Sequence, residues 1–266
     1  MPDSTPTTRV QADVTNPAHY FACCALLELA SRLTTESEGW FEDGAFNIAK
    51  GPDLPEIIRK LTSASLVMLD VADGTASPIR IPEPFDLRID WWKDGDRAAS
   101  DLKVWAGTME SFRIAKSMQA AMLKPEFSTE NLLNVSMVAY DPDDPVKKVE
   151  PFYFDARRGP NAHSRDVGFA PNDLGLTTIA SPAAELLCLI GLQRVRPVPA
   201  GKDKPRQYDY RTWSRPIPAL LAPIAAAGLL PDPGAKRYRF ESWYRTGQRK
   251  HKAFLSAKLQ TTTHIP

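Results

Sequence analysis

Residues 16–30 have the sequence NPAHYFACCALLELA. An asparagine followed by a proline is typical of the N-cap and the first position of a helix, so Asn16 and Pro17 predict where this helix begins. Apolar residues lie on most sides of the helix through about Leu33, which predicts that it is buried rather than lying on a surface.

Short strands and helices are predicted on both sides of this helix. The predicted segments are a strand at 9–14, a hairpin at 40–48 with Asp-Gly at its turn, a short helix at 54–61, a strand at 85–91, a helix at 108–123, a strand at 152–154, an apolar helix from Ser181 to about Gly191, strands at 208–213 and 236–244, and a basic helix at 248–259. Strands and helices mix without a regular βαβ repeat, which predicts an α+β fold. A ferredoxin-like or RNA-recognition-type core with a basic C-terminal half is one arrangement that fits.

The charge of the chain is divided between its two halves. Residues 1–145 carry 13 basic and 23 acidic residues, a net of −10, whereas residues 146–266 carry 20 and 9, a net of +11. The Asp-Pro-rich segment 141–145 is the best candidate boundary, giving an acidic half at 1–145 and a basic half at 146–266, and the two could also form one continuous domain. A strongly basic segment predicts a partner that is a polyanion, most readily nucleic acid.

Three basic segments and one helix supply candidate phosphate contacts, because guanidinium and ammonium groups bind phosphate oxygens. The candidates are Arg157, Arg158 and Arg165 in the loop after Phe154, Lys202, Lys204 and Arg206 in a Pro/Gly-rich loop, Arg249, Lys250 and Lys252 near the C-terminus, and Arg113 and Lys116 as secondary candidates. For the first loop the alternative is a solvated segment whose arginines pair with Asp155 and Asp166. The aromatic residues Trp243, Tyr244 and Phe254 are predicted to lie in the core, although aromatic faces can also stack on unpaired bases.

Several stretches of the chain resemble a small CRISPR-associated protein family of the type I-U systems, also called I-G. They are residues 16–30 with GWF at 39–41, FDARR at 154–158, RDVGFAP at 165–171, PAAELL at 182–187 and GLQRVRP at 191–197. The resemblance spans about residues 9–259. It implies a non-catalytic subunit of an RNA-guided, Cascade-like surveillance complex in antiviral defence. The implied partners are guide RNA, target DNA, the backbone and handle-binding subunits and a separate helicase-nuclease. The resemblance leaves two possible roles in the complex, that of a reduced large subunit and that of a divergent backbone subunit.

Two alternatives from other classes remain. The chain could be a nuclease, with His19 as a general base or with Asp101 and Lys103, downstream of Asp90, in a metal-dependent site. It could also bind an acidic protein through its basic half.

The residues predict no cofactor and no catalytic set. They predict no metal site either, because the histidines are scattered and the cysteines lack zinc spacing. No apolar run approaches the roughly 18–20 residues of a bilayer span. The three cysteines have no framework spacing, which predicts reduced thiols and a cytoplasmic protein.

Overall fold

A computed structural model describes residues 5–93, 100–106, 108–158, 179–245 and 251–261. The predicted α+β fold is confirmed. The helices are α1 Pro17–Leu33, α2 Leu54–Ser63, α3 Ser111–Ala121, α4 Pro182–Arg194 and α5 Ala222–Ala227. The strands are β1 Thr8–Gln11, β2 Glu38–Glu42, β3 Ala45–Ala49, β4 Val67–Met68, β5 Ile79–Ile81, β6 Leu87–Ile89, β7 Ala139–Asp141, β8 Asp144–Val149, β9 Val198–Pro199, β10 Gln207–Arg211, β11 Ile217–Pro218, β12 Arg237–Tyr244, β13 Lys252–Phe254 and β14 Lys258–Leu259.

The two apolar helices α1 and α4 pack against each other at the centre of the core. Helix α1 begins where the sequence predicts, because the Asn16 side chain accepts a hydrogen bond from the backbone N–H of Ala18 at 3.2 Å. The helices approach so closely that a Cβ atom at Gly191 would lie 1.9 Å from the carbonyl oxygen of Phe21. One helix comes from the acidic half and the other from the basic half, so the two halves share one core.

The first sheet has the strand order β1-β3-β2-β11 and is antiparallel throughout. Strand β3 separates β1 from β2, so β1–α1–β2 is the split βαβ unit with which a ferredoxin-like core begins. Within the described residues no strand lies on the other edge of β1, and the late strand β11 extends the edge of β2 instead.

The second sheet has the order β13-β12-β10-β9, with β14 also paired to β12. It packs against the same helix as the first sheet, because the ring of Tyr20 stacks on Phe41 of β2 at 5.3 Å and on Tyr210 of β10 at 4.1 Å. The hydroxyl of Tyr20 donates to the carbonyl of Arg211 at 2.6 Å, and that of Tyr210 donates to the carbonyl of Val14 at 2.6 Å. Helix α1 therefore lies between two sheets that are far apart in the sequence.

Two predicted elements differ from the structure. The basic helix predicted at 248–259 is wrong for its described part, which forms β13 and β14, because Ala253 and Phe254 are buried by pairing with β12. The strand predicted at 152–154 is also wrong. The backbone N–H groups of Phe154 and Asp155 donate to the carboxylate of Glu185 rather than to a neighbouring strand.

The segment predicted as a domain boundary, 141–145, is the turn of the β7–β8 hairpin. The strands β4, β5 and β6 form a small antiparallel sheet earlier in the chain, before α3. Among the described helices, none has the length and apolar character that crossing a bilayer requires.

We predict that Gly191→Ala lowers the free energy of unfolding by more than about 2 kcal/mol, because the added methyl group would force α1 and α4 apart. Gly74→Ala is the matched control, since its Cβ would have no heavy atom closer than 3.8 Å. Urea unfolding followed by circular dichroism measures both variants. Equal unfolding midpoints for the two variants would show that the helices can separate without cost.

Candidate nucleic-acid interface

Five side chains from three separate parts of the chain lie together at one end of the second sheet. We call them the cationic–aromatic cluster, and its members are Lys103, Arg206, Trp243, Tyr244 and Lys252. The last residue of β12 pairs with the first residue of β13, which places Tyr244 opposite Lys252. The backbone N–H of Lys252 in turn donates to the carbonyl of Val104 at 2.9 Å, next to Lys103.

Arg206 lies over the two aromatic rings of the cluster. The centre of its guanidinium is 5.0 Å from the ring of Trp243 and 5.2 Å from that of Tyr244, both within the range of cation–π attraction. Its backbone is left-handed, with φ +63°, and its carbonyl accepts from the N–H of Ser242 at 2.9 Å. This turn directs the Arg206 side chain toward the end of β12.

The three cations of the cluster concentrate positive charge. Burial lowers the pKa of Lys252, and the charges of Arg206 and Lys103 lower it further while Asp101 opposes the shift. Burial also lowers the pKa of Lys103. None of the three forms an ion pair with a carboxylate in the described ranges. Within the described residues, the ammonium of Lys252 donates to a backbone carbonyl, that of Asp101. An anion placed here would therefore be attracted by three cations, with the charge of Asp101 opposing that attraction.

A fourth cation, Arg245, contacts the backbone of the cluster residue Lys252. The guanidinium of Arg245 lies 3.4 Å from the centre of the Tyr153 ring, and its Nε donates to the carbonyl of Lys252 at 3.1 Å. Arg245 therefore holds the start of β13 in place rather than extending into solvent.

Two further candidates are exposed near this end, and three others lie outside the described residues. Lys202 and Lys204 are exposed in the turn between β9 and β10, a few residues before Arg206. Arg165, Arg249 and Lys250 lie outside the described ranges.

Arg113 and Lys116, the secondary candidates on α3, face carboxylates. Arg113 lies 3.1 Å from Glu110 and 3.3 Å from Asp141, and Lys116 lies 2.7 Å from Asp143. Their charges are largely compensated locally, so the structure does not bring them into the cationic–aromatic cluster.

Arg157 is occupied by acceptors of the protein itself. Its Nε donates to Asp155 at 2.9 Å, one terminal nitrogen donates to the Asn134 side chain at 2.8 Å, and the other to the Leu133 carbonyl at 2.9 Å. Arg158 donates to Ser136 at 2.6 Å and has its Nε 3.9 Å from Asp155. The pairing with Asp155 that the sequence offered as an alternative is therefore present.

Asp155 is the fully buried centre of this arrangement. Burial alone would raise the pKa of its carboxyl, but the hydrogen bonds and charge of Arg157, with hydrogen bonds from Ser181 and Asn16, hold that pKa at about 2. The Asn16 amide donates to Asp155 at 2.8 Å, and its oxygen accepts from the N–H of Ala156 at 3.1 Å. These contacts tie the start of α1 to the turn that follows Phe154.

His19, the candidate general base, is only 1% exposed. Its Nδ1 accepts from the N–H of Asp13 at 3.3 Å, and burial together with the charge of Arg157 lowers its pKa to about 4. Burial also raises the pKa of Glu185, on α4, to about 7. Neither group is exposed to a strand of nucleic acid on the surface. The described residues contain no cluster of side chains that could hold a metal ion.

The core prediction for the three aromatic residues is confirmed for Phe254 and wrong for Trp243. Phe254 is buried, whereas Trp243 is 45% exposed. The alternation along β12 is the signal that could have shown this, because Tyr238, Phe240 and Ser242 face inward and Trp243 falls on the outer side. The sequence-based set also omitted Lys103, which tertiary pairing alone brings to the cluster.

Comparison with protein-family models, with curated proteins and with solved structures finds no match for this chain.

We predict that Arg157→Ala lowers the free energy of unfolding by roughly 2 kcal/mol, because it leaves the carboxylate of Asp155 buried without its cation. The cost lies below that of a fully buried pair because the Arg157 side chain is partly exposed to water. Arg88→Ala, which removes an exposed partner of Asp90, is the control and should cost little. If Arg157→Ala keeps its stability but loses affinity for nucleic acid, the prediction of a structural role is contradicted, and Arg157 would be a phosphate contact as the sequence predicts.

Proposed function

We propose that this chain is a nucleic-acid-binding protein and that the cationic–aromatic cluster is its contact surface. The observation that carries the proposal is that Lys103, Arg206 and Lys252 converge beside an exposed tryptophan, and that none of the three forms an ion pair with a described carboxylate. Cations supply the attraction for phosphate groups. The exposed Lys202 and Lys204 lie in the turn that precedes Arg206 and would extend the surface along a strand.

We further propose, from the resemblance of the sequence, that the protein is a non-catalytic subunit of a type I CRISPR surveillance complex in the cytoplasm. In such a complex base pairing between guide RNA and target DNA reads the sequence, and the protein binds backbone and shape. A cluster of cations serves that role without a buried acid–base pair. The backbone and handle-binding subunits would be its protein partners, and cleavage would belong to the separate helicase-nuclease.

We predict that Lys252→Gln weakens binding of a single-stranded RNA of about 16 nucleotides by roughly fivefold near 0.1 M salt, and that it lowers the slope of log K against log salt by about 0.7. The reason is the loss of one phosphate contact. Lys116→Gln is the matched control, because it removes a lysine that Asp143 already compensates. Fluorescence anisotropy at several salt concentrations measures both quantities. The proposal of this surface fails if the two variants lose affinity equally.

The place in a complex is tested by co-expressing the tagged chain with a CRISPR array and the neighbouring subunits. We expect a stoichiometric particle that contains discrete guide RNA. A chain that purifies alone and without RNA, while the other subunits assemble together, would contradict the CRISPR part of the proposal. The oligonucleotide measurements would then decide separately whether the chain binds nucleic acid.

A further inference from the structure

We infer that the cationic–aromatic cluster selects unpaired nucleotides over duplex, and that Trp243 is the platform on which an unpaired base stacks. This inference rests on the proposed function, which requires only attraction to phosphate. It adds a class of ligand, single-stranded nucleic acid, and a positioning pair, Trp243 and Arg206.

The exposure of Trp243 sets it apart from every other tryptophan. The chain has six tryptophans, and the other five are no more than 5% exposed. Trp243 instead lies on the outer side of β12, where the preceding positions carry Arg237, Arg239 and Glu241. A large aromatic face left open to water among charged residues is typical of a binding surface rather than of a core.

Arg206 fixes the orientation of that face. Its guanidinium lies within 5.2 Å of both Trp243 and Tyr244, and its left-handed turn is held by the hydrogen bond from Ser242. A ring held in one orientation loses little conformational entropy when a base stacks on it. The guanidinium lies over one face of the Trp243 ring, so a base would stack on the other face, and its positive charge would attract a phosphate of the same nucleotide.

The geometry favours unpaired bases for a physical reason. In a duplex both faces of each base are covered by neighbouring base pairs, so a protruding indole meets only the backbone and the groove edges. In a single strand the base faces are free, and each stacking contact with an aromatic ring contributes an affinity gain on the order of tenfold. Lys103 and Lys252 would then bind the phosphates that flank the stacked base.

The test uses the full-length chain and three probes of equal length: a mixed-sequence single strand, the corresponding blunt duplex, and a strand with abasic sites in place of its central bases. The native protein should bind the single strand about tenfold more tightly than either other probe at equal salt. Trp243→Leu should remove that preference while the salt slope stays the same, because the phosphate contacts remain. Trp243→Phe should restore most of it, since phenylalanine retains a stacking face.

Tyr140→Leu is the matched control, because it removes an exposed aromatic side chain on β7, away from the cluster in the sequence. We expect it to bind all three probes as the native protein does. Tryptophan fluorescence adds an independent readout. Quenching by the single strand should come mainly from Trp243, since the other indoles are buried, and it should be lost in Trp243→Phe. Urea unfolding checks that each variant is folded.

Equal affinity of the native protein for the single strand, the duplex and the abasic strand would overturn the inference and leave the proposed phosphate-binding surface intact. An unchanged single-strand preference in Trp243→Leu would also overturn it, since the stacked base would then lie elsewhere. Failure of the native protein to bind any of the three probes would overturn the proposed function itself.

Discussion

The contact between α1 and α4 is the constraint on which the rest of the molecule depends. The backbones meet where Gly191 faces the carbonyl of Phe21, and no side chain fits between them. This approach buries nearly all of α1, whose ring of Tyr20 then contacts β2 on one side and β10 on the other. Two sheets formed from distant parts of the chain thus share one helix, and interior packing of this density fixes their relative position.

The second sheet carries the cationic–aromatic cluster at the end of β12. Strand β12 carries aromatic residues inward over most of its length, where Phe240 packs on Phe254 at 4.9 Å. The last two residues of β12 are Trp243 and Tyr244. The guanidinium of Arg206, in the loop before β10, lies over both of their rings. The pairing of β13 with β12 adds Lys252. The cluster is therefore a consequence of strand register, and its members are separated by up to about 150 residues of sequence.

Basic residues lie in two different environments in this chain, and net charge does not distinguish them. Arg157 and Arg194 are bound to the buried carboxylates Asp155 and Glu28, at 2.7 and 2.6 Å, and they stabilise the fold. Lys252 and Lys103 have no such partner in the described ranges, and their pKa values are lowered. Burial is the main cause of both shifts, so neither lysine is held by a buried carboxylate as Arg157 and Arg194 are.

The sequence by itself determined the elements whose causes are local. The Asn16 cap and Pro17 start α1, the Asp-Gly turn sets the β2–β3 hairpin, and Pro182 starts α4; all three elements form where the sequence predicts. Only the tertiary structure decided the rest. Residues 252–254 belong to a basic segment that predicts a helix, yet they form a strand because β12 offers backbone partners and a buried place for Phe254. The same holds for Arg157, whose acceptors lie as far away as Leu133, and for Trp243, whose exposure depends on which side of β12 faces the core. Local signals act within a turn or two of the chain, whereas burial and ion pairing depend on residues that only folding brings together.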